Sequence, residues 1–203
     1  MKTAMTPQIR ILAIVGAVMV GVAAGLIGTW WLLPQGGRAA LTPATIGGPF
    51  ALTDQAGQPR TDRDFRGRLM LVTFGYTHCP DVCPLTVAAI NEALDQLGPQ
   101  ADQVAGIFVT VDPQRDTPEV LREYVASVSN RMVALTGTAE QVAAAARAYR
   151  VYYRLAGDAA TNPNYSVDHT ALFYLMDREG RFVQHFTHQT QPDAIVAAIR
   201  RVL

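Results

Sequence analysis

Two uninterrupted apolar runs constrain the fold of this chain more than any other feature. They are LMLVTFGY, residues 69–76, and VAGIFVTV, residues 104–111. Runs of this length, rich in β-branched and aromatic side chains, are typical of strands buried on both faces of a sheet. A helical spacing of apolar residues follows the first run up to Leu97, and Thr117-Pro118 after the second predicts a helix N-terminus. The chain therefore alternates strands and helices.

The flanking segments extend this alternation. The predicted elements are a strand pair in PFALTDQAGQPRT, a strand in MVALTG, a helix in TAEQVAAAARAY, an extended run in VYYRL, a hairpin in TALFYLMDREGRFVQHF and a last helix in QPDAIVAAIRRVL. This order predicts an α/β fold in which helices cover a central sheet. Such sheets bind ligands at the carboxyl ends of their strands.

The N-terminal part carries 23 residues without a charge, from Ile11 to Leu33. A membrane-spanning helix needs about 20 apolar residues, and the two tryptophans that close this run are typical of the membrane interface. The sequence therefore predicts a single transmembrane anchor at residues 11–33. A cleaved signal peptide is the alternative, but its apolar core is usually shorter, and Arg38 lies where cleavage requires a small residue.

Basic residues favour a cytoplasmic segment at residues 1–10, since Lys2 and Arg10 precede the apolar run. Residues 34–48 are rich in Pro, Gly and Ala, a composition that predicts a linker. The length of residues 49–203 predicts one domain. Because no Arg- and Ser-rich transit segment is present, we expect a bacterial inner-membrane protein with a periplasmic domain. The 17 basic and 17 acidic residues balance, which gives no electrostatic basis for nucleic-acid binding.

Both cysteines of the chain lie in FGYTHCPDVCPLT, residues 74–86. If Pro84 is the first helical residue, Cys83 is the N-cap, and the helix N-terminus stabilises its thiolate. Three hypotheses remain open: a structural disulfide, a thiol-disulfide oxidoreductase and a metal site. The disulfide would close a very short loop, which stabilises little. The oxidoreductase motif is C-x-x-C, whereas three residues separate Cys79 and Cys83.

A metal site needs a further ligand, and His169 in SVDHTALFYL is the candidate, at the mouth of a predicted strand. The preceding segment AGDAATNPNYS is rich in Gly, Asn and Pro and predicts a mobile connection. Two thiolates and an imidazole form a soft set that suits Cu(I) or Zn. His78 neighbours Cys79, and its side chain is expected to point away, so it is at most an auxiliary ligand.

Three motifs, GYTHCPDVCP, VDPQRDTPEVL and VDHTALFYL, together resemble the Sco/SenC copper-chaperone family over residues 41–203. The resemblance implies a thioredoxin-like domain behind the anchor. It implies one copper ion, as Cu(I) or Cu(II), bound by Cys79, Cys83 and His169, with the cysteines as a redox-active pair. Asp168-His169-Thr170 stands where thioredoxin-like oxidoreductases carry a cis-proline, and an imidazole there favours a metal.

The same resemblance implies roles for acidic and basic neighbours. Asp81 and Asp168 are expected to orient the ligands and balance their charge. Asp112, Arg115 and Asp116 are expected to form a polar network that supports the cysteine loop or the partner surface.

The function implied is that of a metallochaperone rather than an enzyme. It would deliver copper to the dinuclear copper site of cytochrome c oxidase subunit II, or another copper acceptor, or reduce the cysteines of that site. Another copper chaperone or a thioredoxin-like reductant would be a further partner. The alternative is a membrane-anchored periplasmic thiol-disulfide oxidoreductase, or a copper or redox sensor, that delivers no metal.

Overall fold

The computed structural model describes residues 7–32, 45–129, 131–156, 162 and 165–203. They belong to two compact units, Met1–Ala44 and Thr45–Leu203. In the first unit, helix α1 spans Pro7–Leu32. Within the described ranges, no helix combines the length and the apolar character that crossing a membrane requires. Most of the predicted linker and of the predicted cytoplasmic segment lies outside the described residues.

The second unit contains nine strands and four helices among its described residues. The strands are β1 (Ala51–Asp54), β2 (Pro59–Thr61), β3 (Leu69–Gly75), β4 (Val104–Thr110), β5 (Met132–Thr136), β6 (Tyr153–Ala156), β7 (Ser166–His169), β8 (Leu172–Met176) and β9 (Phe182–Thr187). The helices are α2 (Val82–Leu97), α3 (Pro118–Val128), α4 (Ala139–Ala148) and α5 (Pro192–Arg200), and short 3-10 helices span Asp62–Phe65 and Gly98–Gln103.

Seven strands form one mixed sheet in the order β2-β1-β5-β4-β3-β8-β9. Strand β4 is parallel to both β3 and β5, and the other pairs are antiparallel. Every residue of β3 and β4 is buried, which confirms the prediction from their apolar runs. Helix α4 covers one face of the sheet, and α2, α3 and α5 cover the other. The predicted α/β fold with a central sheet flanked by helices is confirmed.

Strands β6 and β7 pair with each other in a separate two-stranded sheet, in which Tyr153 lies opposite His169. Strand β7 was not among the predicted elements, because four residues are too few for a clear period. His169 is thus the last residue of a strand, not the end of a loop. Most of the preceding segment predicted to be mobile, at residues 157–161, 163 and 164, lies outside the described residues.

The N-terminus of α2 differs from the prediction. The helix begins at Val82 with Asp81 as N-cap, so the assignment of Cys83 as N-cap was wrong. Proline is tolerated throughout the first helical turn, where backbone N–H groups have no partner in the helix, and Pro84 therefore does not mark the first residue. The N-cap predicted for α3 is confirmed, since the side chain of Thr117 accepts a hydrogen bond from the Val120 backbone.

Candidate metal centre

The connection between β3 and α2 carries Cys79, and the first turn of α2 carries Cys83, to the carboxyl edge of the parallel strands. The Cys79 backbone N–H donates to the Tyr76 carbonyl at 3.2 Å, which turns the chain directly after β3. The Val111 N–H donates to the Gly75 carbonyl at 2.8 Å and joins this turn to the segment after β4. Strand β7 brings His169 to the same edge. One ligand atom from each of Cys79, Cys83 and His169 lies within 4.8 Å of the others.

The imidazole of His169 faces the sulfur of Cys83. Its Nε2 lies 3.4 Å from Cys83 Sγ, and its Nδ1 lies 3.1 Å from the carbonyl oxygen of Thr170. Because a carbonyl only accepts hydrogen bonds, Nδ1 carries the ring proton and Nε2 offers its lone pair toward the sulfur. Burial lowers the pKa of His169, which keeps the ring neutral and able to ligate a metal.

Cys83 is almost fully buried, with 4% of its surface exposed, whereas Cys79 is half-buried, and both are free. Burial, and next the hydrogen bond to the Cys79 side chain, raises the pKa of Cys83. Burial therefore favours the thiol form of the metal-free residue at neutral pH and opposes the stabilisation of a thiolate expected from the helix N-terminus. Metal binding must displace this proton.

Gly75 provides the space for the Cys83 sulfur. A Cβ atom at this position would lie 2.7 Å from Cys83 Sγ and 3.0 Å from the ring of Phe108. On the other side of the cluster, the ring of Tyr76 meets the His169 imidazole edge-on, at 6.0 Å between centroids and 88° between planes. The Cys83 sulfur thus packs on the backbone of Gly75, and the His169 imidazole packs against the ring of Tyr76.

The motif after β4 reaches the cysteine loop through Asp116. This carboxylate is fully buried and accepts hydrogen bonds from the Thr77 backbone at 3.1 Å, from the Thr77 hydroxyl at 2.6 Å and from the Thr110 hydroxyl. Burial raises the pKa of Asp116, against these hydrogen bonds. Thr77 lies two residues before Cys79, so Asp116 contacts the loop that leads to the cysteines, and its role toward the ligands stays a prediction.

The same motif reaches the histidine strand through a residue that was not predicted. The Tyr165 hydroxyl donates to Asp112 Oδ1 at 2.7 Å, and Arg115 pairs with the other oxygen of Asp112. The guanidinium of Arg115 also lies over the Tyr165 ring, 3.6 Å from its centroid. A buried carboxylate needs hydrogen-bond donors, but the burial of Asp112 is known only from the structure, so no sequence feature points toward this partner.

Three other predicted residues lie at the periphery of the cluster. Asp81 is exposed at the start of α2. Asp168 forms an exposed ion pair with Arg154 at 3.1 Å, and its side chain points to the face of β7 opposite His169, since neighbouring strand residues alternate. His78 is exposed, with Nδ1 3.1 Å from the Thr77 hydroxyl. Their roles toward the ligands stay predictions.

A thioredoxin-like α/β domain with two thiols and one imidazole at the carboxyl edge of its sheet defines a class of thiol- and metal-binding proteins. The SCO1/SenC family model matches residues 38–203. The chain therefore belongs to the SCO1/SenC family.

Individual relatives support this assignment. The chain is 42% identical to Protein SenC of Rhodobacter capsulatus over 158 residues, which cover 77% of this chain and 70% of that protein. It is 40% identical to the mitochondrial Protein SCO1 homolog of Homo sapiens over 156 residues, 76% of this chain. The match spans only 52% of the length of the human protein.

Among solved structures, ScoI of Bradyrhizobium japonicum with copper bound superposes with a TM-score of 0.72. It is 44% identical, and the match covers 78% of this chain and 99% of that one.

Proposed function

We propose that this protein binds one copper ion through Cys79, Cys83 and His169 and acts as a copper chaperone in cytochrome c oxidase assembly. The observation that carries the proposal is the approach of the three ligand atoms to within 4.8 Å of one another. The copper-bound structure of the 44% identical ScoI supports the choice of metal.

The ligand set suits a metal that must be released again. Two thiolates and an imidazole are enough for three-coordinate Cu(I), which needs no fourth protein ligand. Cys83 is buried, whereas Cys79 is half-buried. An incoming thiolate of the acceptor would therefore approach on the Cys79 side, and copper would move by exchange of one ligand at a time.

The acceptor that we propose is the dinuclear copper site of cytochrome c oxidase subunit II, on the basis of family membership. Reduction of that site is compatible with the same cysteines. The Cys79–Cys83 dithiol would pass two electrons and two protons to the acceptor's disulfide and become a disulfide itself. Copper loading and reduction would then exclude each other at any one moment, because oxidation removes two of the three ligands.

We also propose a bacterial inner-membrane location with the copper-binding domain in the periplasm, and this proposal depends on the uncharged run at residues 11–33. An anchor would raise the concentration of the domain near a membrane-embedded oxidase. Alkaline extraction of membranes, with N-terminal sequencing of the retained protein, tests it. Release into the supernatant, or a new N-terminus near Leu41, would rule the anchor out.

Copper stoichiometry of the reduced, purified chain, with X-ray absorption at the copper edge, tests the ligand set. We expect one copper per chain with sulfur and nitrogen neighbours. Cys79→Ser or Cys83→Ser should abolish copper retention, and His169→Ala should weaken it strongly and remove the nitrogen neighbour. His185→Ala, on the exposed part of β9, is the matched control. Normal retention by His169→Ala would refute the third ligand.

A thiol-disulfide reductase without copper is the second candidate, because both cysteines are free and close to each other. It would need Cys79 and Cys83 but not His169. Oxidase activity in a deletion strain separates the two functions. Rescue by added copper indicates metal supply, whereas rescue by a His169→Ala gene and not by copper indicates the reductase.

A further inference from the structure

Tyr165 lies directly before β7 and four residues ahead of His169. Its side chain is buried, with 6% of the residue exposed, and its hydroxyl donates to Asp112 Oδ1 at 2.7 Å. Asp112 is itself only 2% exposed. This buried hydrogen bond therefore joins the start of the histidine strand to the turn that follows β4.

Arg115 completes the contact. It pairs with the second oxygen of Asp112, and its guanidinium lies 3.6 Å from the centroid of the Tyr165 ring. The ring is thus held at its hydroxyl and on its face. Burial, and next the hydrogen bond to Asp112, raises the pKa of Tyr165 to about 12, so its hydroxyl stays a donor over the physiological range.

The turn after β4, residues 112–116, therefore contacts both segments that carry the candidate ligands. Asp112 and Arg115 hold the strand that ends at His169, and Asp116 holds Thr77 in the loop that carries the cysteines. The backbone N–H groups of Arg115 and Asp116 both donate to the Asp112 carbonyl, at 3.2 and 3.0 Å, which makes the turn compact. The turn at residues 112–116 therefore bridges the segment that leads to the cysteines and the strand that ends at His169.

Strand β7 needs such support. Its partner is β6 alone among the described strands, and a two-stranded ribbon is marginally stable by itself. Val167 packs into the core, with 4% of its surface exposed. The backbone of Val167 also hydrogen-bonds to the side chain of Tyr76 after β3. The hydrogen bond of Tyr165 adds a directional contact at the start of the strand, where it opposes a shift of the strand along its own axis.

We propose that Tyr165 is a positioning residue for His169, which sets the distance of the imidazole from the two sulfurs through its contacts with Asp112 and Arg115. The inference deepens the proposed function and depends on copper binding at Cys79, Cys83 and His169. Tyr165 itself does not contact the metal. Removal of its hydroxyl should weaken the nitrogen ligand and leave both sulfur ligands in place.

Tyr165→Phe removes only the hydroxyl, and Tyr152→Phe is the matched control. Tyr152 is exposed and lies directly before the neighbouring strand β6, where its backbone, not its side chain, bonds to Thr170. Competition with a chromophoric Cu(I) chelator measures affinity in the full chain. We expect about tenfold weaker copper binding in Tyr165→Phe, as for other residues that orient metal ligands, and wild-type affinity in Tyr152→Phe.

A double-mutant cycle tests whether Tyr165 acts through His169. In a His169→Ala background, Tyr165→Phe should cause no further loss of affinity, because the group that it positions is gone. An equal loss in both backgrounds would overturn the proposal and indicate a general effect on the fold. Wild-type affinity of the single variant would overturn it as well.

Amide hydrogen exchange in the metal-free chain provides a readout that needs no copper. Exchange in residues 166–169 should accelerate in Tyr165→Phe, while exchange in β3 and β8 stays unchanged. Unchanged exchange in β7 would refute the positioning contact even if wild-type protein binds copper. A wild-type chain that binds no copper would instead refute the proposed function, and the exchange result would still decide on Tyr165.

Discussion

At the scale of single residues, Gly75 sets how closely the cysteine loop can approach the sheet. The Cys83 sulfur and the Phe108 ring occupy the space that a side chain would need. We expect Gly75→Ala to weaken copper binding and to lower the free energy of unfolding by about 1–3 kcal/mol, as is usual for an overpacked core. Chemical denaturation and chelator competition measure the two effects.

Gly106→Ala is the control for that variant. A Cβ there would lie 2.9 Å from the Met132 side chain. Gly106 lies in the same sheet as Gly75 but near the amino end of β4, away from the cysteines. It should cost stability without a change in copper affinity. If both glycine variants lost copper equally, the contact with Cys83 would not be the cause.

Tyr124 is a residue whose polar group is not satisfied. Its hydroxyl oxygen is buried without a hydrogen-bond partner in the described part of the chain, and burial raises the pKa of this phenol. Removing such a group should be neutral or stabilising, because the cost of its burial disappears. We expect Tyr124→Phe to keep or raise the melting temperature and Tyr165→Phe, which loses a made hydrogen bond, to lower it. Calorimetry on both variants checks the contrast.

At the scale of elements, an aspartate organises the turn of the β1–β2 hairpin. Asp54 accepts hydrogen bonds from the backbone of Ala56 and Gln58, both at 2.9 Å, and from Arg60 at 2.8 Å. Burial acts to raise the pKa of Asp54, but the hydrogen bonds outweigh it and the pKa is lowered. A lowered folded-state pKa stabilises the fold above the unfolded value of 3.8.

This contribution should disappear as the pH falls through the lowered pKa of Asp54. We therefore expect the free energy of unfolding to drop on acidification below pH 4, and the drop to be smaller in Asp54→Asn. Urea titrations from pH 6 to pH 2 measure it. An equally steep loss in the variant would assign the acid sensitivity to other carboxylates.

The elements differ in how much of them the sequence predicts. Strands β3 and β4 are buried on both faces, so nearly all of their side chains are apolar, and this apolar run makes both strands recognisable in the sequence. Strand β7 has four residues in a two-stranded ribbon, and its sequence SVDH is too short and too polar to predict a strand. The helix N-terminus at Asp81 was misplaced because proline is compatible with several first-turn positions.

The candidate site shows the same division. Cys79, Cys83 and His169 were identified by residue type and motif, but the approach of Cys83 to His169 joins positions 86 apart and depends on tertiary packing. The role of Tyr165 is defined by Asp112, 53 positions earlier. An aromatic residue before a strand is common, so no local pattern distinguishes this one.

At the scale of the whole molecule, both hydrophobic clusters of the second unit share the central sheet. Met70, Val72 and Phe74 face one cluster, and Leu69 and Leu71 face the other. Since the same strand supplies both layers, we expect residues 45–203 alone to fold and to unfold in one transition. Calorimetric and van't Hoff enthalpies should agree. Two separate transitions would show that the layers melt independently.

The placement of His169 also orders events during synthesis. The cysteines leave the ribosome first, and the histidine follows only when most of the chain has been made, with β8 and β9 still to come. A growing chain therefore carries a bare pair of thiols for as long as it takes to make the segment between them and the imidazole. If the chain is exported into an oxidising compartment while it is being made, that interval favours a disulfide over a metal. A newly made molecule would then need electrons before it could take up its first ion.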